Sequence, residues 1–321
     1  MKINLSKLMF LLLTVNSTIM IVSSNNIMMT WVSMEINMIS FLPILTKSKK
    51  SIDQPMKYFI VQSVSSSLML MSMLKSSVLE ETPNSSMILT ASMLMKMGMM
   101  PFHLWLPPLM QKNSWENCLI MSTIQSIPPT TVMAQMTDLK LMILPMMLSS
   151  IVGPISALKQ FSMKKIMAYS SIANSTWMIS AMFISKYMFL MFFSVYSTLT
   201  ILLMKKLKNN NIMYLNQIST MSNIKKVNLS TMMLSLSGIP PLLGFFPKWV
   251  ILKTMIKFST IIPMTMLMSS AISTFIYIKM TSPMMMSMSM IKKTKKETLK
   301  KNMTLMINLI GIPVVMTLSS F

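Results

Sequence analysis

Three ionisable residues stand where ionisable residues are rare. Glu35 lies inside the apolar run Trp31-Val32-Ser33-Met34-Glu35-Ile36-Asn37, Lys96 lies midway along another, and Lys248 lies near the end of a third. A charge at the centre of a bilayer costs about 2.5–3.5 kcal/mol even on lenient insertion scales, so such residues are functional candidates by default. Burial disfavours the charged form of a lysine, and a nearby carboxylate favours it. A buried lysine therefore gains or loses a proton when its carboxylate partner moves. A row of such groups joined by water passes protons with no metal or organic cofactor, and Glu35 is the natural modulator. His103, the single histidine, is a further candidate because a histidine beside a helix break can titrate; a hydrogen-bonded interior residue is the simpler reading.

Other chemistry finds little material. Cys118 is the only cysteine, so no disulfide forms within the chain and no Cys/His metal cluster can be built. The five glycines form no phosphate-binding loop, and no nucleophile stands in a recognisable motif with a base. The expectation is that this chain binds no cofactor and no metal of its own.

Long apolar helices must hold these residues. The chain has 321 residues, 53% of them hydrophobic, with a mean hydropathy of +0.60 and 11% charged, against about 25% charged in a soluble domain. A helix that crosses hydrocarbon needs roughly 20 apolar residues. Eleven runs qualify, at 3–23, 27–46, 56–78, 86–106, 117–136, 140–159, 165–184, 187–205, 229–251, 259–280 and 303–320. The expected fold is all-α: a polytopic membrane protein in which residues 1–321 form one transmembrane domain. The 48 methionines fill positions where Leu or Ile would serve, which reads as coding bias rather than as a Met-rich binding groove.

The net charge of +22 comes from 29 basic residues, all lysine. A nucleic-acid binder would use Arg for bidentate readout of guanine; here topology explains the charge, and no nucleic-acid partner is expected. Across the eleven spans, 22 lysines fall on the side of the amino terminus, five on the other, and Lys96 and Lys248 within spans. Glu80 and Glu81 fall on the lysine-poor side. The positive-inside rule then places the amino terminus in the cytoplasm or its equivalent.

Spans four and nine carry a second oddity. Span four runs through Gly98, Pro101, Pro107 and Pro108, and span nine through Gly238, Pro240, Pro241, Gly244 and Pro247. Proline in a helix removes a hydrogen bond and clashes with the preceding turn, so both spans are expected to be broken. Each is the fourth member of a set of five, and the second set starts from the opposite face. That pattern predicts an antiporter-like inverted repeat, with halves at about 1–138 and 139–281 and a final span at 303–320, and with the ion path at the discontinuous helices.

At these residues the chain resembles the NADH–ubiquinone oxidoreductase chain 2 family, the mitochondrially encoded antiporter-like subunits of respiratory complex I. The matching stretches are WVSMEINMISFLPIL at 31–45, MKYFIVQS at 56–63, MKMGMMPFHLWLP at 95–107, KKIMAYSSI at 164–172 and LSLSGIPPLLGFFPKW at 234–249. They recur in the family's order over almost the whole chain. The resemblance implies a proton-translocating module in the membrane arm of a complex that passes electrons from NADH to ubiquinone. NADH, FMN, iron–sulfur clusters and ubiquinone would then belong to other subunits. Neighbouring antiporter-like subunits and the lipid bilayer, cardiolipin included, would be partners, in the mitochondrial inner membrane. Carried over by motif, Glu35 looks like the family's coupling glutamate, Lys96 like the lysine of the first broken helix and Lys248 like that of the second.

Two positions depart from the family. A further lysine usually follows a Trp-Gln pair in span five; here Ile124 and Gln125 are followed by Ser126. Asn174 stands where relatives often have His. A serine holds a water but carries no proton charge at neutral pH, so the central relay would run through Gln125 and Ser126. The alternatives are a free-standing cation/proton antiporter of the same fold and a non-pumping structural subunit. The lysine asymmetry predicts that loops 47–55 and 206–228 face the matrix. Labelling of intact mitoplasts from the intermembrane side should spare the 206–228 loop and reach Glu80 and Glu81; modification of the 206–228 loop would reverse the orientation.

Overall fold

A computed structural model of the chain describes residues 5–46, 53–78, 83–240 and 242–289. The loop residues 47–52, Glu80 and Glu81, the lysines from Lys292 to Lys301 and the run at 303–320 lie outside the described residues.

The chain begins with α1 (Leu5–Ser23), α2 (Ile27–Leu45) and α3 (Asp53–Val78). Span four is divided into α4 (Pro83–Met97) and α5 (Leu106–Lys112). Span five is divided as well, into α6 (Trp115–Ser122), a 3-10 turn at Ile124–Ser126 and α7 (Ile127–Met136). Next come α8 (Leu139–Ala157), α9 (Met163–Ile184) and α10 (Lys186–Asn209). Span nine is split into α11 (Asn223–Ser237) and α12 (Phe245–Met255), and α13 (Ile261–Ser289) follows. No strand occurs among the described residues; one isolated bridge joins Ser162 to Tyr214.

Five described helices are long and apolar enough to cross a membrane by themselves: Leu5–Ser23, Ile27–Leu45, Leu139–Ala157, Lys186–Asn209 and Ile261–Pro283. The broken spans fall short because each piece is short. Helix α1 shows how the membrane inverts the usual pattern. Its buried face is Thr14, Ser17, Thr18 and Ile21, while Leu8, Leu12, Ile19 and Val22 point outward. Outward Leu matches lipid, and small hydroxyl residues let helices approach. Thr14 Oγ1 donates to the Leu11 carbonyl at 2.8 Å and Ser17 Oγ to Thr14 at 2.8 Å, so the hydroxyls are satisfied within their own helix.

The break in span five differs from the continuous span expected at 117–136, and its cause is Pro128 and Pro129. Neither has an N–H to give the carbonyls of Ile124 and Gln125, so α7 starts afresh with proline at its beginning. The Ile127 N–H bonds the Ile124 carbonyl instead, in a 3-10 turn. Helix α5 carries span four past its expected end at residue 106. Pro107 stands in its first turn, where a missing N–H costs nothing.

The ends rich in lysine come together. Glu116, just ahead of the apolar run of span five, receives hydrogen bonds from Lys7 at 2.5 Å and from Lys208. Lys164 donates to the Asn113 carbonyl at 2.5 Å and lies over the Trp115 ring. The Met163 N–H bonds Met213, and the Leu215 N–H bonds Phe161. The starts of α1, α6 and α9 thus meet the ends of α5, α8 and α10 on one face. Lys208 and then Lys7 hold the Glu116 carboxyl down at about 2, against an ordinary 4.5. A depressed folded-state value stabilises fully above the ordinary one and is lost as pH falls through the lower one. At neutral pH this three-residue clasp is therefore in place, although Glu116 is 37% exposed and the clasp is worth at most about 1 kcal/mol.

Candidate proton path

Both Gly-Pro breaks are built alike. At the first, Gly98 has φ +66°, its N–H bonds the Met95 carbonyl at 3.2 Å, and the Met99 N–H reaches back to Leu94 at 3.1 Å. At the second, Gly238 has φ +86°, its N–H bonds Ser235 at 3.2 Å, and the Ile239 N–H reaches Leu234 at 3.4 Å. A left-handed glycine with a six-to-one backbone bond is the Schellman ending of a helix, and only glycine takes that conformation without strain. The proline-containing segments that follow cannot resume the helix at once.

An ended helix leaves carbonyls without intrahelical donors, and inside a membrane they must be satisfied by protein. At the first break, Gln62 Nε2 donates to the Lys96 carbonyl at 3.3 Å and Trp105 Nε1 to the Met95 carbonyl at 3.2 Å. At the second, the donor is the lysine itself. Lys248 Nζ reaches back from the first turn of α12 to the carbonyls of Leu236 at 3.1 Å and Ser237 at 2.9 Å. Its ammonium also lies 5.5 Å from the centre of the Trp177 ring. The partial negative charge at a helix C-terminus favours a cation there. Lys248 is 8% exposed, so it is a buried residue beside a break rather than one near a span end.

Lys96 closes α4. Its Nζ contacts Met34 Sδ at 3.2 Å. Glu35, the next residue on α2, makes no direct ion pair with Lys96 but is near enough for its charge to act on it. Lys96, Gln125 and Ser126 line one cavity of about 60 Å³, together with Asn37, Tyr58, Gln62, Ser171, Ser175 and Tyr196. A water needs about 10–15 Å³ on this measure and two to four polar partners, so the cavity accommodates several. Gln125 Nε2 donates to Asn37 Oδ1 at 3.0 Å, and Ser126 Oγ to the Thr123 carbonyl at 2.7 Å. Lys248 lies elsewhere. It lines a cavity of about 20 Å³ with Ser170, Asn174, Trp177, Ser269 and Tyr277.

Of the residues expected at the site, the structure gathers Lys96, Gln125 and Ser126, places Glu35 beside them and sets Lys248 in separate surroundings. His103 does not join them. It is half-exposed in the turn between α4 and α5, with Nδ1 3.4 Å from the Pro101 carbonyl, and it does not line the Lys96 cavity. The interior setting expected for it is thus not found, because the turn carries it outward. The polar face of α9 was not among the expected site residues. Ser171 and Ser175 open on the Lys96 cavity, and Ser170 and Asn174 on the Lys248 cavity. Their spacing of four was visible, but serine is so common in this chain that the spacing stood out little. Lys164 and Lys226, which stand among the loop lysines in the sequence, are likewise buried, at 6% and 0% exposed.

The comparisons with known proteins bear on the fold that carries these lysines. Residues 24–276 match the family described as NADH:quinone oxidoreductase/Mrp antiporter, TM. The chain belongs to this family. It is 38% identical over 290 residues to NADH-ubiquinone oxidoreductase chain 2 of Locusta migratoria, covering 87% of this chain and 85% of that protein. Among solved structures, a chain of respiratory complex I from Thermus thermophilus superposes with a TM-score of 0.77 at 17% identity, covering 98% of this chain and 78% of that one. A chain of the Mrp complex from Dietzia superposes with a TM-score of 0.73 at 14% identity, covering 84% of this chain and 59% of that one. At such identities the likeness is one of fold, and it is the antiporter-like membrane fold.

The second break of this family member yields a sharp prediction. A Cβ on Gly244 would lie 1.8 Å from the Ser235 carbonyl oxygen, a backbone atom that cannot swing aside. Gly244→Ala should force α11 and α12 apart and cost about 3 kcal/mol or more. Native gels should show the assembled complex depleted, whereas Gly153→Ala, with nothing nearer than 3.2 Å, should leave a detectable amount assembled.

Proposed function

We propose that this chain is the proton-translocating, antiporter-like subunit in the membrane arm of respiratory complex I. It is thereby part of an NADH:ubiquinone reductase whose redox chemistry lies in other subunits. The observation that carries this reading is the pair of lysines, each fixed at a helix break and each facing a cavity lined by hydroxyls and amides. NADH, FMN, iron–sulfur clusters and ubiquinone are bound elsewhere in the complex. Other complex I subunits flank this one in the mitochondrial inner membrane, with cardiolipin among the surrounding lipids. The amino terminus faces the matrix, and residues 1–138 and 139–281 are the two inverted halves of a single domain.

In this reading Glu35 sets the proton affinity of Lys96 through space. A conformational step that moves Glu35 away disfavours the charged lysine, and its proton enters the cavity beside Gln125 and Ser126. Because Glu35 and Lys96 form no ion pair, a small movement of α2 changes their coupling without an ion pair first having to break. Water held by Gln125, Ser126 and Asn37 replaces the lysine that relatives carry in span five.

Glu35→Gln removes the charge and keeps the shape. Quinone-coupled turnover of the assembled complex should fall about tenfold, the weight of one pKa unit of coupling. NADH oxidation by an artificial acceptor, which bypasses the membrane arm, should persist. Ser126→Ala should impair pumping, and Ser126→Lys should preserve it. Unchanged coupled turnover in both Glu35→Gln and Ser126→Ala would favour the structural subunit that only fills the membrane arm.

A further inference from the structure

The Lys96 and Lys248 cavities share no lining residue, so a proton that leaves one must find a way into the other. Ser126 and Gln125 do not bridge the gap, since both line only the Lys96 cavity and both side chains are already bonded to residues of spans two and five. A third, small cavity of about 10 Å³ lies between them, lined by Asn174, Phe192, Tyr196, Gly244 and Lys248 among others. It shares Asn174, Leu236 and Lys248 with the second cavity. Among the described residues, Tyr196 is the one residue that it shares with the Lys96 cavity.

The surroundings of Tyr196 fix its place. Its ring stacks on Phe192 with centroids 6.3 Å apart and planes within 8°, and Phe192 stacks on Trp177 at 6.5 Å and 11°. Trp177 is the ring that lies under the Lys248 ammonium. A ladder of three rings on α9 and α10 thus runs from Lys248 to the wall of the Lys96 cavity and ends in the only ring of the three that carries a hydroxyl. Tyr196 is 5% exposed, and among the described residues no hydrogen bond occupies its hydroxyl, although a buried tyrosine usually finds a partner. A phenol can accept on its oxygen and donate its own proton at once.

We propose that the Tyr196 hydroxyl carries the proton between the Lys96 cavity and the Lys248 cavity. The inference rests on the proton-translocating reading above and adds the crossing point to it. Tyr196 takes a proton on its oxygen from the water chain on the Lys96 side. It gives its own proton, through the one water the small cavity can hold, to the neutral amine of Lys248. One O–H bond forms as another breaks, Lys248 becomes an ammonium, and the phenol ends neutral. Rotation of the hydroxyl resets it for the next transfer. Asn174, on the rim of both cavities on the Lys248 side, orients that water.

Tyr196→Phe tests this, because it keeps the ring stack and removes only the hydroxyl. In the assembled complex, quinone-coupled turnover should fall on the order of a hundredfold, the low end of what a positioned proton-transferring side chain contributes. The solvent deuterium isotope effect on coupled turnover should rise as proton transfer becomes limiting, a change that loosened packing would not produce. Assembly and NADH oxidation by an artificial acceptor should match the unaltered complex. Lys96→Met serves as the companion variant. If it stops pumping while Tyr196→Phe pumps normally with an unchanged isotope effect, the crossing lies elsewhere and this proposal is wrong. If neither variant alters coupled turnover, the proton-translocating reading falls with it.

Discussion

A helix that stops inside a membrane must find partners for its last carbonyls, and that constraint organises the site. The bilayer offers no water for the task. The chain meets it with side chains from outside the helix at α4, where Gln62 of α3 and Trp105 of the following turn bond the open carbonyls. At α11 it meets it with a cation, where Lys248 bonds two carbonyls at once. A buried charge and a broken helix are each costly alone; together the ammonium supplies donors and the helix end supplies negative potential. Removing either partner leaves the other exposed in a low-dielectric interior, which is why the break and the lysine are to be understood as one unit.

The two breaks share their backbone and differ in where the lysine stands. Lys96 closes the helix before its break, and Lys248 opens the helix after its own. Lys96 consequently leaves its ammonium free of carbonyls, against Met34 and facing a cavity, whereas Lys248 is held by two carbonyls and a ring face. A weakly held ammonium suits a group that responds to Glu35, and a firmly held one suits a group that receives a proton and keeps it until its surroundings change. Helix α9 separates the two, with its serines and Asn174 divided between the cavities and no large apolar residue facing the Lys96 side except Met178.

Much of this could be read in the chain before any fold was known. The Gly-Pro clusters foretold both breaks because glycine and proline act on the backbone at their own positions, and Glu35, Lys96 and Lys248 stood out because hydrocarbon punishes charge. Local signals failed where the answer depended on neighbours. The break in span five was written in Pro128 and Pro129 but masked by the apolar residues around them. His103 looked interior until the turn at Gly98 through Trp105 carried it outward. Tyr196 gave no signal at all. A tyrosine in an apolar helix is ordinary, and only the meeting of α9, α10 and α12 sets it between two cavities.

The family membership and the paired lysines together make transfer through this chain to Lys248 the central claim. The most direct measurement is proton uptake into proteoliposomes that hold the whole complex with Lys248→Met, scored per NADH oxidised. Methionine keeps the length of the side chain and removes the group that takes the proton. Quinone-coupled pumping should be lost, while oxidation of NADH by an artificial acceptor continues at its usual rate. An unchanged number of protons moved per NADH would show that no obligatory proton passes through Lys248.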